Sequence, residues 1–329
     1  MNIVARRSPL RSALRLELPP ITRLAAADGF ELAARAYVPS ARLRGTILMA
    51  SATAVRQRFY APFARHAAER GFRVITFDYR GIGDSRPASL RGFAASMTDW
   101  AKLDSARAVQ WAHSFGDPVL LVGHSFGGQA VGLLDALRTV RAAVFVGSQL
   151  GDYRNWSAFE RAKLLAIWYG LIPSAVGLFG YLPGRLGMNE DLPGGVAREW
   201  ARWCTSEGYF LEHHPDAAER FESFACPTLV YSFTDDAYAP AAAVDAYIRQ
   251  FSPGRVLHRR LRPSGLGVRS VGHFGFFRAE QGGGLWDEAL AFFDDALADR
   301  DPRVAALAST EPLSVGMADV MADLQYGRD

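Results

Sequence analysis

The chain has 329 residues, of which 49% are hydrophobic and 22% are charged, which excludes a chain that is mainly disordered or collagen-like. The formal net charge is only +3, and no basic run is interleaved with aromatic residues, so a nucleic-acid groove is not predicted. The length suits one large domain or a core domain with an insertion.

Cysteine content and apolar runs bear on where the protein resides. Only Cys204 and Cys226 occur, which is too few for a disulfide scaffold, and we expect two buried thiols in a reducing cytoplasm. Residues 1–20 lack the apolar stretch and cleavage site of a secretory signal. No uninterrupted apolar run reaches about 18 residues, so no membrane-spanning helix is predicted.

Strand-like and helix-like segments alternate along most of the chain. Alternating apolar residues around Asp28-Gly29 predict an antiparallel hairpin over 21–39. We then predict strands at 45–50, 72–79, 118–123, 142–147, 227–233 and 255–261. Helices are predicted at 58–70, 99–114, 126–137, 240–251 and 285–297. Strands separated by helices need crossover connections, which indicates a mostly parallel sheet with helices on both faces.

This alternation stops between 148 and 225, a stretch rich in aromatic residues and in Pro-Gly or Leu-Pro breaks. We interpret 149–225 as a helical cap inserted over one end of the sheet. The core would then comprise 21–148 and 226–299, with terminal extensions at 1–20 and 300–329. Most aromatic residues of the insertion would form its own core, and a few would line an apolar substrate pocket.

One segment combines a strand, a sharp turn and a helix, with serine at the turn: Gly123-His124-Ser125-Phe126-Gly127-Gly128. The glycines let the strand and the helix approach each other, as such a strained turn requires. The turn also places Ser125 at a helix N-terminus, where free amides and the helix dipole stabilise negative charge. A phosphate-binding loop would need a lysine and a different spacing. We therefore predict that Ser125 is a nucleophile.

A serine hydroxyl needs a base to take its proton and a carboxylate to orient that base. Asp235 and Asp236 follow the predicted strand at 227–233, on the same sheet edge as Ser125. His273 lies in a loop before the last predicted helix. The sequence therefore supplies an acid and a base downstream of the serine.

The order serine, acid, histidine resembles the α/β-hydrolase fold, and the likeness covers about 21–297. The chain also resembles a narrower bacterial group of predicted hydrolases, which is related to the serine aminopeptidase and monoacylglycerol-lipase-like clan. This resemblance rests on the following motifs: Arg56-Gln57-Arg58-Phe59-Tyr60, Asp78-Tyr79-Arg80-Gly81-Ile82-Gly83-Asp84-Ser85, Ser96-Met97-Thr98-Asp99-Trp100, Asp191-Leu192-Pro193 and Gly272-His273-Phe274-Gly275-Phe276-Phe277-Arg278. The resemblance implies a triad of Ser125, Asp236 and His273, because the fold's acid commonly precedes a proline by four positions. Asp235 would be a turn or capping residue, and Asp152 is the runner-up acid.

The same fold implies an oxyanion hole made by two backbone amides. One is the amide of Phe126, and the other comes from the loop after the strand at 45–50. Many relatives have His-Gly in that loop, whereas this chain has Ala-Ser-Ala-Thr-Ala, and the narrower group usually has glycine where Ala54 stands. We choose Ala52 as the second donor, with Thr53 as the alternative.

Other titratable residues are expected to be structural. The place of His124 inside the turn favours packing beside the nucleophile over a role as a second base. His213 and His214 are adjacent and have no suitably spaced third ligand, so no metal site is predicted. The loop at 78–84 is expected to brace the sheet edge.

The sequence thus predicts a cytoplasmic serine hydrolase without metal or organic cofactor. Ser125 would attack the carbonyl of an ester, thioester or lactone in a small, apolar acyl substrate, and water would release the acid. Two alternatives stay open: an acyltransferase that uses the same triad, and a non-catalytic binding protein on the same fold. Neither the acyl chain length nor the oligomeric state follows from these patterns.

Overall fold

A computed structural model describes residues 17–300, so the predicted terminal extensions lie outside the described residues except for 17–20 and 300. The strands, in chain order, are β1 (Thr22–Ala25), β2 (Glu31–Tyr37), β3 (Gly45–Ala50), β4 (Phe72–Phe77), β5 (Val119–His124), β6 (Ala143–Val146), β7 (Tyr181–Leu182), β8 (Leu192–Pro193), β9 (Thr228–Phe233) and β10 (Val256–Leu261). Eight of them form one sheet in the order β1-β2-β4-β3-β5-β6-β9-β10, and β7 pairs with β8.

The sheet is antiparallel at one side and parallel elsewhere. Strand β2 pairs antiparallel with both β1 and β4, and every other neighbouring pair in the sheet is parallel. The predicted hairpin and the mostly parallel sheet are therefore confirmed. Parallel strands end on the same edge, so the loops after β3, β5, β9 and β10 meet there.

Helices cover both faces of the sheet. They are α1 (Ala61–Glu69), α2 (Met97–Asp99, Trp100–Ser105 and Ala106–His113, the middle part π-helical), α3 (Phe126–Gln129), α4 (Ala158–Phe179), α5 (Gly194–Cys204), α6 (Ala217–Glu222), α7 (Ala241–Ile248) and α8 (Ala279–Leu297). Buried residues of β5 alternate between two hydrophobic clusters, with Leu121 in one and Leu120 and Val122 in the other. One cluster includes α1 and α8, and the other includes α2, α7 and the insertion.

The prediction of one helix over 126–137 is wrong, because the helix is much shorter. Helix α3 ends at Gln129 and is followed by short 3₁₀ turns at Ala130–Gly132 and Asp135–Thr139, with Leu134 in an extended conformation between them. Glycines weaken a helix here, and a Cβ at Gly132 would clash with the ring of Phe221, which packs over this position. Tertiary packing against the insertion therefore replaces a regular helix.

Between β6 and β9 the chain leaves the sheet and forms a largely helical layer, which we call the cap (149–225). Helix α4 is its longest element, and its inner side packs through Trp168, whose ring lies 4.7 Å from that of Trp200. In the described part of the chain, α4 alone is long and apolar enough to cross a membrane by length and composition. No uninterrupted apolar run of this length exists because charged residues stand at 160, 161 and 163 and Pro173-Ser174 divides the uncharged remainder.

Candidate active site

Ser125 stands on a strained turn between β5 and α3. Its backbone has φ 52° and ψ −114°, which few non-glycine residues adopt, and its amide donates to the carbonyl of Val146 at 2.9 Å. A Cβ at Gly123 would lie 2.6 Å from the amide nitrogen of Gly128, and one at Gly127 would collide with the carbonyl of Ala50. The glycines identified in the sequence are therefore required for the close approach of strand and helix.

Asp236 and His273 are joined in the structure. His273 Nδ1 lies 2.7 Å from Asp236 Oδ2. The other carboxylate oxygen accepts from the amides of Tyr238 at 2.8 Å and Ala239 at 3.0 Å, and the Asp236 side chain is fully buried. Because a carboxylate only accepts, Nδ1 carries the proton, which leaves His273 Nε2 as the free basic nitrogen.

Ser125 and His273 line the same small pocket, of about 60 Å³. Within the described chain no hydrogen bond joins the Ser125 hydroxyl to the His273 ring, although both groups face this space. Catalytic hydrogen bonds are often long in ligand-free proteins and shorten when substrate binds. The pocket thus brings the Ser125 hydroxyl and the His273 ring to one space.

Asp235 holds the loop that carries His273. Its Oδ2 accepts from the amides of Val271 at 2.9 Å and Gly272 at 3.1 Å, and from the hydroxyl of Ser270 at 2.8 Å. Burial alone would raise the pKa of Asp235, but these hydrogen bonds hold it below its ordinary value. Asp235 thus acts as the predicted turn residue and leaves Asp236 to contact His273.

Asp152, the runner-up acid, does not contact the histidine. It accepts from the guanidinium of Arg154 and from the amide of Gly208 at 3.0 Å. Burial opposes ionisation of Asp152, but these donors hold its pKa below the ordinary value. It pins the start of the cap instead of orienting His273.

The first choice for the second oxyanion donor needs correction. The amide of Ala52 donates to Tyr60 Oη at 2.9 Å, so its one proton is already used. Ala52, Thr53, Ala54 and Val55 form a turn in which the Val55 amide donates to the Ala52 carbonyl and Ala54 has φ 59°. The amides of Thr53 and Phe126 donate to no acceptor in residues 17–300. Of the two amides considered, only that of Thr53 therefore remains free to donate within residues 17–300.

Tyr60 and His124 link the loops of the site, a role that the sequence motif containing Tyr60 did not reveal. Since Tyr60 Oη accepts from Ala52, its own proton goes to His124 Nδ1 at 2.9 Å, and His124 Nε2 donates to the carbonyl of His273 at 2.9 Å. Burial, followed by electrostatic repulsion from the neighbouring His273 ring, holds the pKa of His124 well below its ordinary value. His124 is therefore a neutral structural bridge, as expected from its position.

A larger cavity of about 370 Å³ adjoins the pocket under α4. The two spaces share wall residues Gln149, Gly187, Met188, Trp200 and Tyr238. The remaining wall is mainly apolar and includes Trp156, Leu164, Ile167, Trp168 and Ile172. The cap therefore encloses an apolar space that opens directly beside Ser125.

The remaining candidates have structural contacts. His213 Nε2 lies 2.8 Å from the hydroxyl of Ser206, and His214 lies near Thr98. Within residues 17–300, no group of three or more His, Cys, Asp or Glu side chains could hold a metal ion. Asp78 accepts from the amides of Gln57 at 2.7 Å and Asp84 at 2.9 Å, so it braces the sheet edge.

Comparison with known proteins agrees with this architecture. Residues 47–283 match the model of the alpha/beta hydrolase family, and the chain belongs to that family. No curated protein sequence matches. Similar solved structures include a thermophilic esterase from Thermogutta terrifontis (16% identity, 84% of this chain and 99% of that one, TM-score 0.55) and the Paleococcus ferrophilus monoacylglycerol lipase (14%, 82% and 99%, 0.54). An Exiguobacterium antarcticum esterase is similar at 17% identity, over 83% and 99% of the two chains, with a TM-score of 0.55.

Proposed function

We propose that the protein is a serine hydrolase that cleaves a carboxylic ester, thioester or lactone through an acyl-enzyme. The observation that carries the proposal is that His273 lines the same pocket as the strained Ser125 and lies 2.7 Å from a fully buried Asp236. A nucleophile and a base in one pocket, with a buried carboxylate that orients the base, are the parts that acyl transfer needs.

The residues take the following roles. His273 Nε2 removes the proton as Ser125 Oγ attacks the carbonyl carbon, and Asp236 stabilises the imidazolium that forms. The amides of Phe126 and Thr53 donate to the developing oxyanion. His273 then protonates the leaving group, and a water that it deprotonates releases the acid from Ser125.

The substrate class follows from the adjoining cavity. An apolar space of about 370 Å³ beside Ser125 suits an aliphatic or aromatic acyl group, because Glu160 and Lys163 are the two charged residues among its otherwise mainly apolar lining. We therefore propose an apolar acyl substrate. The two free cysteines are consistent with the cytoplasmic location that we propose for the enzyme.

The nucleophile is tested by intact-mass analysis after treatment with a fluorophosphonate. We expect one label per wild-type chain, no label on Ser125→Ala, and full labelling of Ser174→Ala, which alters an exposed serine of the cap. A folded wild-type protein that takes no label would favour the non-catalytic binding protein. Free acid as sole product in the presence of added alcohol or amine would support hydrolysis over acyl transfer.

The oxyanion assignment is tested by two substitutions at one position. A turn with positive φ only at its third residue is type II, and proline is common at its second residue, which is Thr53 here. Thr53→Pro therefore removes the amide proton with little change of backbone, and we expect kcat to fall about 100-fold. Thr53→Ala keeps the amide and should retain most activity. Equal activity of the two variants would exclude Thr53 as a donor.

A further inference from the structure

The outer side of α4 is an exposed apolar surface. Phe159, Tyr169 and Leu178 on this helix are 79%, 69% and 69% exposed, and Leu171 and Leu186 are also exposed. Of the nine large hydrophobic residues exposed in residues 17–300, five belong to this set. We call these five residues the apical patch.

The surface of α4 between these side chains also carries little charge. The other exposed positions of α4 are small or apolar apart from a serine and one lysine: Ala158, Ala162, Lys163, Ala166, Gly170, Pro173, Ser174 and Gly177. The most apolar window of α4 has a mean hydropathy of 1.5, yet only 22% of it is buried. A surface helix of this composition marks an interaction site, because water-facing helices usually carry a polar outer side.

The apical patch borders the cavity. Leu171 and Leu186 line the cavity and are exposed at the same time, as is Lys163. The single acidic residue of α4, Glu160, is half-buried in the cavity wall. An apolar molecule at the apical patch would thus lie next to the space beside the active site.

Cations without carboxylate partners flank the apical patch. In the described part of the chain Arg91, Lys163 and Arg185 make no salt bridge. Arg91 donates to the carbonyl of Leu178 at 3.3 Å, and Arg185 lies over the ring of Phe179 at 5.3 Å. An apolar helix bordered by unpaired cations is complementary to a bilayer whose headgroups are anionic.

We propose that the apical patch docks on a lipid bilayer that contains anionic lipids, with α4 lying in the interface. The helix does not need to cross the bilayer, because its inner side packs Trp168, Ile172 and Val176 into the protein core. Docking places Leu171 and Leu186, where the cavity wall is exposed, against the lipids, so that an apolar acyl substrate reaches the active site without crossing water. The surface chemistry carries the docking by itself, whereas the delivery of an acyl substrate rests on the proposed function.

The test is co-sedimentation of the full chain with vesicles, using Ser125→Ala so that hydrolysis cannot interfere. We expect binding to phosphatidylcholine vesicles that contain phosphatidylglycerol and weaker binding to phosphatidylcholine alone. Adding Phe159→Ser, Tyr169→Ser and Leu178→Ser together should reduce binding by about tenfold or more. Val38→Ser, which removes an equally exposed apolar residue from the core domain's surface (68% exposed), should leave binding unchanged.

The contribution of the cations is tested by a separate pair of substitutions. Lys163→Gln with Arg185→Gln should reduce binding to the anionic vesicles by about tenfold and leave binding to phosphatidylcholine unchanged. Arg249→Gln, at an exposed arginine just after α7 without a salt bridge in the described chain, is the matched control.

Three results would overturn the proposal. The first is that the Ser125→Ala protein with an intact patch binds neither kind of vesicle. The second is that binding persists in the folded variant with three serine substitutions. The third is that light scattering shows a dimer with the intact patch and a monomer with the three substitutions. The last would assign the patch to a second copy of the chain. Circular dichroism establishes that each variant is folded, and fluorophosphonate labelling of Ser125 is measured separately, so failure of docking and failure of the proposed chemistry are distinguishable.

Discussion

Gly147 fixes the distance between the end of β6 and the His273–Asp236 pair. Its φ is +60°, and a Cβ there would lie 3.1 Å from His273 Cε1 and Nδ1 and 3.3 Å from Asp236 Oδ2. Gly147→Ala therefore has two effects: backbone strain of about 1–2 kcal/mol from the left-handed conformation, and pressure on the imidazole ring.

The two effects have different sizes and different readouts. Contacts of 3.1 Å require the ring to move by a few tenths of an ångström. Because a displacement of about 1 Å can cost about 100-fold in rate, we expect kcat/KM to fall about tenfold, mainly through kcat. The strain should appear separately as a lower free energy of unfolding.

Gly267→Ala is the matched control, since Gly267 has φ +68° and a Cβ at this position would have no heavy atom within 4 Å. Both variants should lose similar stability in urea denaturation, and only Gly147→Ala should lose activity on a p-nitrophenyl ester. If the folded Gly147→Ala protein matched Gly267→Ala in kcat/KM, the argument that this glycine positions the base would be refuted.

Three further predictions concern the surroundings of the site. Tyr60→Phe leaves both hydrogen-bond partners of this hydroxyl unpaired and should lower the free energy of unfolding, measured in urea, by about 1–3 kcal/mol. Tyr37→Phe removes a buried hydroxyl without a partner in the described chain and should lower it much less. Ile167→Trp narrows the cavity and should reduce the preference for octanoyl over acetyl esters, by about fourfold for each methylene excluded, while Ala166→Trp on the outer side should not. Hydrogen bonds hold the folded pKa of Asp235 below its unfolded value of about 4, so their contribution to stability is present above about pH 4 and is lost as the pH falls through the folded pKa. The difference in unfolding midpoint between wild type and Asp235→Ala should therefore shrink on acidification, and a constant difference would contradict this.

The sequence alone predicted the sheet and the turn at Ser125, because both depend on local patterns. Buried strands such as β5 are short apolar runs bounded by turn residues, and their alternation with helices indicates parallel pairing. The turn needs small residues within three positions of Ser125, and these are visible in the chain. The resemblance also placed Asp236 ahead of its neighbour Asp235, and the structure puts it against His273.

Contacts between distant segments decided the rest. Whether Ala52 or Thr53 has a free amide depends on the Tyr60 hydroxyl, which a separate 3₁₀ turn brings to the loop after β3. The break after α3 depends on Phe221, about 90 residues further along the chain. Exposure of α4 cannot be read from its composition, because a buried core helix and an unpartnered surface helix can have the same residues. Only packing in three dimensions determines which side of an apolar helix remains uncovered.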